Sequence, residues 1–503
     1  MEIRFVPPAL SPHDEVTSAG DSFLALGGLT GLVRSPIHDS VAQQSMAIPG
    51  ETIKEKASPA MPSPSPSQLR FLVCPARFSP RVALFYCYIF VGVSALLTYV
   101  MYFKHSTPAF LLGLLASTQD VAALPQASST PQPPSADAYK VYTISANNIT
   151  AKFIPHGARL TSLLVPDRDG APQDVVVGYD DTTKYGADTN FFGAVVGRYA
   201  NRIKNGTFTI DDNEYHIPKN ENDGLDTLHG GDIGYDQRNW TVTAQTNSSI
   251  TFSFYDKALQ GFPGDVLTHA TYTVDNDNPT GSPQLTTKLV SLALTETTPI
   301  MAANHIYWNL NGFRDANVLD DVTLQLPLSS RFIATDGILI PNGKISTVDA
   351  YDGSPDFTSP KLVGKDIDSA VGLCGTDCTG YDNCFIVDRP TGYSADALIP
   401  AVHMSSKNTG ITLDVTTNTP AIQIYSCNGQ DGSDPVKPSQ IQRVKDAGFN
   451  GPTTLDKNAC VVIETEGWID GINQPGWGQT DNQIFSPGGL PAVNLAVYKF
   501  GTA

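Results

Sequence analysis

The chain has 503 residues, of which 41% are hydrophobic and 16% are charged. This balance is typical of a well-packed, β-rich globular protein and excludes a chain that is disordered or coiled-coil throughout. Its 32 basic and 50 acidic side chains give a net charge of −18, which excludes general binding to nucleic acid or anionic lipid because those surfaces repel an acidic protein. Residues 1–123 are neutral overall, so residues 124–503 carry the whole excess of acid.

The N-terminal part of the chain predicts an export segment. Residues 1–81 are rich in Ser, Pro, Gly and Ala, which predicts a disordered leader. The run 82–103 that follows has no charged residue and reaches the roughly 20 apolar residues that span a bilayer. It favours a signal anchor, which would be the protein's only contact with a membrane.

A second interpretation starts the protein at Met101. Residues 101–123 run from a basic start through a short apolar stretch to small residues, which is the order of a secretory signal peptide. Since two export signals in succession are rare, we favour this start, with the preceding residues as a mispredicted extension and the anchor as the alternative. Under both interpretations residues 82–123 direct export and residues 124–138 form a linker. The body, residues 139–503, is then secreted or membrane-anchored outside the cytoplasm.

The body carries features expected in the secretory pathway. Four sequons predict glycosylation at Asn148, Asn205, Asn239 and Asn247. An oxidising compartment would allow up to two disulfides, with the pairing left open, among Cys374, Cys378, Cys384, Cys427 and Cys460. The first three cysteines are closely spaced, but no companion His or Cys lies at zinc-finger spacing from them. They therefore do not favour a metal site.

From residue 139 onward, short β-rich runs alternate with turn residues. Several runs, such as Thr251–Tyr255 and Thr268–Val274, alternate apolar with polar side chains, which is the period of a half-buried strand. Helical periodicity is confined to a short candidate at residues 439–447. Residues 139–503 contain no strong internal linker and therefore predict a single all-β domain, a large β-sandwich. The sequence lacks the fingerprints of nucleotide-binding, zinc-protease and serine-hydrolase sites.

Four segments concentrate Asn, His, Arg and Glu within this β-rich context. They are Gly193–Ile203 (GAVVGRYANRI), Leu228–Gly231 (LHGG), Asn304–Leu310 (NHIYWNL) and Ile463–Glu466 (IETE). Each is weak alone, but the ordered set, spread over residues 139–500, resembles the aldose 1-epimerase (galactose mutarotase) family. The resemblance implies a β-supersandwich fold and the interconversion of α and β anomers of free hexoses such as glucose and galactose. It also implies a small sugar as the binding partner and no cofactor.

The resemblance further implies roles for individual residues. Glu464 matches the general base and His305 the general acid, while the sugar-binding positions fall on Asn201, Arg202, His229, Asp382 and Gln423. These residue types suit the reaction, because a change of anomer needs one proton taken from the anomeric hydroxyl and one given to the ring oxygen. Trp308, beside the acid, is predicted to belong to the core rather than to stack against the sugar.

The sequence departs from the family pattern at Glu466, where the family usually has Gln. A second carboxyl group near the base would bear on substrate preference if it points inward. Two alternatives keep the fold but change the function. A hexose 6-phosphate mutarotase would need a cluster of cations, which an acidic body argues against. A non-catalytic carbohydrate-binding relative would need no acid–base pair, so the presence of both His305 and Glu464 argues against it.

Overall fold

The computed structural model describes residues 137–503. The predicted leader, the export segment and nearly all of the linker lie outside the described residues, and the predictions made for them stay predictions. Across residues 137–503, no helix has both the length and the apolar character needed to cross a membrane.

The described chain is built mainly from strands. In chain order they are β1 (Tyr142–Ala146), β2 (Ile149–Ile154), β3 (Arg159–Pro166), β4 (Pro172–Asp174), β5 (Ala194–Val196), β6 (Arg202–Lys204), β7 (Thr207–Ile210), β8 (Asn213–His216), β9 (Asp226–Leu228), β10 (Thr241–Gln245), β11 (Ser249–Lys257), β12 (Asp265–Asp275), β13 (Gln284–Ala293), β14 (Thr298–Pro299), β15 (Ala303–Trp308), β16 (Val322–Gln325), β17 (Arg331–Thr335), β18 (Pro341–Thr347), β19 (Lys361–Leu362), β20 (Asp382–Ile386), β21 (Ile399–Ser406), β22 (Ile411–Thr417), β23 (Ala421–Tyr425), β24 (Val461–Glu466), β25 (Ile484–Phe485) and β26 (Ala492–Thr502). Two α-helices, α1 (Pro438–Asp446) and α2 (Thr480–Gln483), interrupt them.

One large sheet has nine strands in the order β10-β11-β12-β13-β26-β22-β21-β16-β19. Along β12, half-buried and buried residues alternate from end to end, and β13 alternates similarly. This is the period-two pattern expected when one face of a sheet packs on a core and the other meets solvent. The alternating runs recognised in the sequence are therefore strands of this sheet.

The second large sheet has seven strands in the order β18-β17-β20-β23-β24-β15-β5. Its central strands β15 and β24 are buried at every position, because one face packs on the nine-stranded sheet and the other is covered by loops. Between the sheets, Trp308 packs on Tyr498 with ring centroids 5.1 Å apart, and Thr465 Oγ1 donates to Asn494 Oδ1 at 3.0 Å. The all-β sandwich and the core position of Trp308 are thus confirmed.

A long excursion, residues 428–459, leaves the seven-stranded sheet between β23 and β24 and carries α1, which confirms the predicted helix to within a residue. A disulfide between Cys427 and Cys460, both buried, joins the two ends of the excursion. The buried ammonium of Lys437 ties its middle to Asp174 Oδ2 on β4, 2.9 Å away. The excursion is therefore held at its base and again at the start of its helix.

The second disulfide joins Cys374 to Cys378. Cys384 is buried and has no disulfide partner among residues 137–503. The pairing that the sequence left open is thus one local bridge and one bridge between neighbouring strands. All four predicted glycosylation sites, Asn148, Asn205, Asn239 and Asn247, are exposed and lie outside the strands.

Candidate active site

The floor of the site is a row of side chains across four neighbouring strands. Cys384 on β20, Gln423 on β23 and Glu464 on β24 are paired in register. On β15, His305 brings its Nε2 to 3.5 Å from Oε1 of Glu464. Because paired residues of adjacent strands project to the same face of a sheet, register alone gathers the predicted acid, the predicted base and Gln423.

A second row lies two residues further along the same strands. Asp382 pairs with Tyr425, Tyr425 with Val462, and Val462 with Tyr307. Nε2 of Gln423 donates to Oδ1 of Asp382 at 2.6 Å, so these two predicted sugar-binding residues hold each other in place. Oε1 of Gln423 has no hydrogen-bond partner among the described residues, which leaves it available to accept from a sugar hydroxyl.

The facing wall is built by the loop after β5 and the loop after β9. Asn201 has a left-handed backbone, with φ of 54°, and its main chain forms a double link with His229. The Asn201 N–H donates to Nδ1 of His229 at 3.0 Å, and the His229 N–H donates to the Asn201 carbonyl at 3.0 Å. At Gly230, φ is +93° and a Cβ would lie 2.2 Å from the Gly197 carbonyl oxygen. The glycine of the LHGG segment therefore lets the two loops touch.

Arg202 projects from β6 with its guanidinium fixed by carboxyl groups. Nε and Nη2 donate to the two oxygens of Glu221 at 2.7 and 2.8 Å, and Nε lies 3.9 Å from Asp226 Oδ2. This bidentate geometry orients the planar group more firmly than a single hydrogen bond would. The carboxyl group of Glu221 was not predicted from the sequence.

These walls enclose a pocket of about 270 Å³. All seven residues predicted to form the site line it: Asn201, Arg202, His229, His305, Asp382, Gln423 and Glu464. The pocket is completed by residues to which the sequence assigned no role, namely Thr189, Asn190, Phe191, Glu221, Leu228, Tyr307 and Tyr425. The structure therefore brings the whole predicted set together and adds aromatic and polar groups around it.

Burial controls the protonation of the central pair. Desolvation lowers the pKa of His305 to about 3. Desolvation, with help from the nearby Glu466 and Asp382 carboxyls, raises the pKa of Glu464 well above its usual value, and Arg202 partly opposes that rise. These opposite shifts favour an uncharged imidazole on His305 and a protonated carboxyl on Glu464.

Three of these side chains also have the composition of a metal site, since His229, His305 and Glu464 offer ligand atoms within 4.8 Å of one another. The hydrogen bond from the Asn201 N–H, however, uses the lone pair on Nδ1 of His229. The ring proton is then on Nε2, so the nitrogen left for the pocket is a donor. This tautomer suits a hydrogen bond to a sugar hydroxyl better than a metal ion.

A β-sandwich with a buried imidazole–carboxyl pair in a polar pocket defines an enzyme of the acid–base type. Residues 140–488 match the family model of aldose 1-epimerase. The chain is 56% identical over 383 residues to a probable aldose 1-epimerase of Arthroderma benhamiae, covering 73% of this chain and 87% of that one. It is 30% identical over 335 residues to the galactose mutarotase of Bos taurus, covering 66% and 87%.

A solved structure supports the same family assignment. The crystal structure of the GalM/aldose epimerase homologue from C. elegans superposes with a TM-score of 0.60 at 27% identity, covering 72% of this chain and 99% of the other. The chain belongs to the aldose 1-epimerase family, and the isomerase class and fold implied by the four sequence segments are confirmed.

Proposed function

We propose that the protein interconverts the α and β anomers of free aldohexoses such as glucose and galactose, with Glu464 as base and His305 as acid. The observation that carries the proposal is the pair itself. Two buried groups that exchange protons stand 3.5 Å apart on the floor of a pocket of about 270 Å³. Membership of the aldose 1-epimerase family supports the same activity.

Ring opening begins from the charged form of the pair. Transfer of the shared proton from Glu464 to His305 produces a carboxylate and an imidazolium, and the Arg202 guanidinium stabilises that carboxylate. The carboxylate takes the proton of the anomeric hydroxyl while the imidazolium gives its proton to the ring oxygen. The bond between the ring oxygen and the anomeric carbon breaks, leaving an open-chain aldehyde. Rotation next to the carbonyl and reclosure, with both transfers reversed, yields the other anomer.

The surrounding residues bind and orient the sugar. Nε2 of His229 is a donor, Oε1 of Gln423 is an acceptor, and Asp382 offers a carboxyl oxygen beside it. Donors and acceptors placed on opposite walls match the hydroxyls of a hexose, each of which can donate and accept. Such contacts place the anomeric hydroxyl next to the base and the ring oxygen next to the acid. This positioning contributes to the rate.

The charges of the pocket favour an uncharged sugar over a hexose phosphate. Arg202 is the only guanidinium or ammonium group among the described lining residues. Its Nε and Nη2 are committed to Glu221, and its Nη1 donates to Oδ1 of Asn201. Asp382, held by Gln423, and Glu464, beside His305, add two carboxyl groups to the lining. A phosphate dianion would therefore meet repulsion rather than the cation cluster that phosphate recognition requires.

Polarimetry of fresh α-D-glucose and α-D-galactose tests the proposal. The wild-type protein should bring both sugars to anomeric equilibrium much faster than buffer alone. Glu464→Gln keeps the shape of the side chain but cannot accept the proton, and should lower kcat by about 10²–10⁴-fold. His305→Gln should act in the same direction because it removes the acid.

Glu214→Gln is the matched control, because Glu214 is an exposed carboxyl on β8, outside the pocket. It should retain wild-type kcat. A wild-type protein that binds sugar without accelerating anomer exchange would contradict the proposal and favour the non-catalytic alternative. Full activity in Glu464→Gln would contradict the assignment of the base.

We also propose that the body works outside the cytoplasm, either secreted or tethered by the N-terminal segment. The features that support this are two disulfides and four sequons on exposed positions outside the strands. Disulfides persist in oxidising compartments, and glycan transfer needs an accessible asparagine. The sequence of residues 82–123 supplies the export signal in either of its two interpretations.

A further inference from the structure

A second carboxyl group stands next to the proposed base. Glu466 lies two residues after Glu464 on β24, so both side chains project from the same face of the strand. Glu466 is 1% exposed and pairs in register with Ala421. A glutamine is usual here in the family that the sequence resembles, so this chain places a titratable group where an amide commonly stands.

The contacts of Glu466 lead directly into the sugar-binding wall. Its Oε1 accepts from Nδ2 of Asn201 at 3.1 Å. The oxygen of the same Asn201 amide, Oδ1, accepts from Nη1 of Arg202 at 3.3 Å, and the main chain of Asn201 carries the double link to His229. Asn201 thus connects Glu466 with two predicted sugar-binding residues, Arg202 and His229. Oε2 of Glu466 has no hydrogen-bond partner in the described part of the chain.

Glu464 and Glu466 share a buried, charge-rich setting. The titratable or charged groups that face the two carboxyls from the surrounding elements are His305 and Tyr307 on β15, Cys384 and Asp382 on β20, Tyr425 on β23, Tyr498 on β26, Arg202 on β6, and His229 and Tyr199 on the loops. In this group Arg202 is the one permanent cation. Two carboxyls in such a setting cannot both ionise easily, because water does not screen their repulsion.

We infer that Glu466 is a positioning residue for anomer exchange, holding Asn201 and with it Arg202 and His229, and that its charge sets the pH at which the Glu464–His305 pair loses its shared proton to solvent. This inference rests on the proposed function. The two effects are separable, because the first depends on an acceptor oxygen at Glu466 and the second depends on a negative charge.

The direction of the pH effect follows from electrostatics. Burial raises the pKa of Glu466 to about 8. When Glu466 is ionised, its charge raises the pKa of Glu464 further. Removing that charge therefore lowers the pKa of Glu464, and the pair then loses its shared proton at a lower pH.

Glu466→Gln is the first test, because glutamine keeps an oxygen that accepts from Asn201 but carries no charge. The profile of kcat/KM against pH, measured by polarimetry with α-D-glucose from about pH 5 to about pH 9, should show its alkaline limb displaced to lower pH. The ratio of kcat/KM at about pH 5 to that at about pH 8 should rise several-fold over wild type. KM at the optimum should stay near the wild-type value.

Glu466→Leu is the second test, because leucine removes both the charge and the acceptor. Its alkaline limb should move in the same direction, and KM should rise several-fold above that of Glu466→Gln because Asn201 is no longer held. Asp470→Asn is the matched control. Asp470 is equally buried, and its Oδ1 accepts from the Lys204 N–H outside the pocket, so this variant should keep the wild-type profile.

Three results would overturn the inference. The profile of Glu466→Gln would superimpose on that of the wild type, the KM of Glu466→Leu would equal the wild-type KM, or Asp470→Asn would shift the alkaline limb as far as Glu466→Gln does. Failure of the proposed function is distinguishable, since the wild type would then give no acceleration over buffer at any pH. Thermal unfolding of each variant confirms that the compared proteins are folded.

Discussion

Three buried acids hold their protons unusually tightly. Burial raises the pKa of Asp470 to about 6, that of Asp226 to about 7 and that of Glu466 to about 8. A raised pKa in the folded state means that the stabilisation is complete below the pKa of the unfolded chain and is lost as the pH rises through the folded value. The buried histidines have the opposite effect on the pH dependence of stability, because burial lowers their pKa values. The pKa of His305 is lowered to about 3.

These shifts predict that the free energy of unfolding decreases between about pH 6.5 and about pH 8.5. In that window the carboxyls of Asp226 and Glu466 keep protons that the unfolded chain has lost, and they control most of the slope. The raised pKa of His403, beside Asp414, acts in the same direction. One extra proton in the folded state costs about 1.4 kcal/mol of stability per pH unit, so a decrease of about 2 kcal/mol or more is expected. Urea unfolding at a series of pH values measures it.

Two variants separate the contributions. Glu466→Gln should flatten the decrease, whereas Asp470→Asn should leave the slope above about pH 6.5 nearly unchanged because Asp470 has already ionised there. Equal slopes for the wild type and Glu466→Gln would show that Glu466 is ionised throughout the window.

Individual residues differ in how well the sequence predicts them. The seven site residues were predicted from the family resemblance, five of them within the four segments, and they do meet in one pocket. Tyr307 and Tyr425 follow His305 and Gln423 by two positions. Strand periodicity therefore predicts that these tyrosines lie on the same face of the sheet as the site. The same rule puts Trp308 on the opposite face, in the core. Phe191 has no comparable signal, since its place in the pocket depends on a loop fold that the local sequence does not encode.

Among the elements, the excursion between β23 and β24 bears most directly on stability. The Cys427–Cys460 bridge spans 33 positions, whereas the Cys374–Cys378 bridge spans 4. A cross-link that closes a longer loop removes more entropy from the unfolded chain. Chain-entropy estimates give about 4 kcal/mol for the longer loop and about 2 kcal/mol for the shorter one.

Replacing each pair by alanine tests that difference. Cys427→Ala with Cys460→Ala should lower the free energy of unfolding by about 4 kcal/mol, and should also raise KM because Tyr425, two residues before the bridge, lines the pocket. Cys374→Ala with Cys378→Ala should cost about 2 kcal/mol. The measurement is urea unfolding at fixed pH, and equal losses in the two variants would contradict the loop-length argument.

The elements also mark the limit of prediction from the local sequence. The helix at 439–447 and several strands were recognisable because their patterns lie within a few consecutive residues. The register that aligns Cys384, Gln423 and Glu464 was not recognisable, since it joins strands separated by long stretches of chain. Disulfide pairing stayed open for the same reason, as the partner of Cys427 is defined by strand neighbours rather than by spacing.

At the scale of the whole molecule, the proposed secretory route predicts a specific mature protein. Its N-terminal peptide, identified by mass spectrometry, should start close after residue 123 if translation begins at Met101. Removal of N-glycans should lower the mass, with Asn148, Asn205, Asn239 and Asn247 as the occupied positions because all four are exposed. Asn→Gln replacement at each sequon assigns the sites.

Two results would contradict that route. A peptide from residues 1–69 in the native protein would exclude a start at Met101 and favour the signal anchor. An unchanged mass after glycan removal, together with reduced cysteines in the native protein, would argue against passage through the secretory pathway altogether.

The cross-strand origin of the active site has a consequence for how activity arises during folding. The acid and the base sit on β15 and β24, which pair directly through Trp308 and Val461 although a large part of the chain separates them. Pairings of such high contact order form slowly and late. Hairpins such as β11–β12 pair residues that are close in the sequence, so they can form before β15 pairs with β24. Catalysis is therefore a late event on the folding pathway, and a newly made chain acquires secondary structure before it acquires turnover.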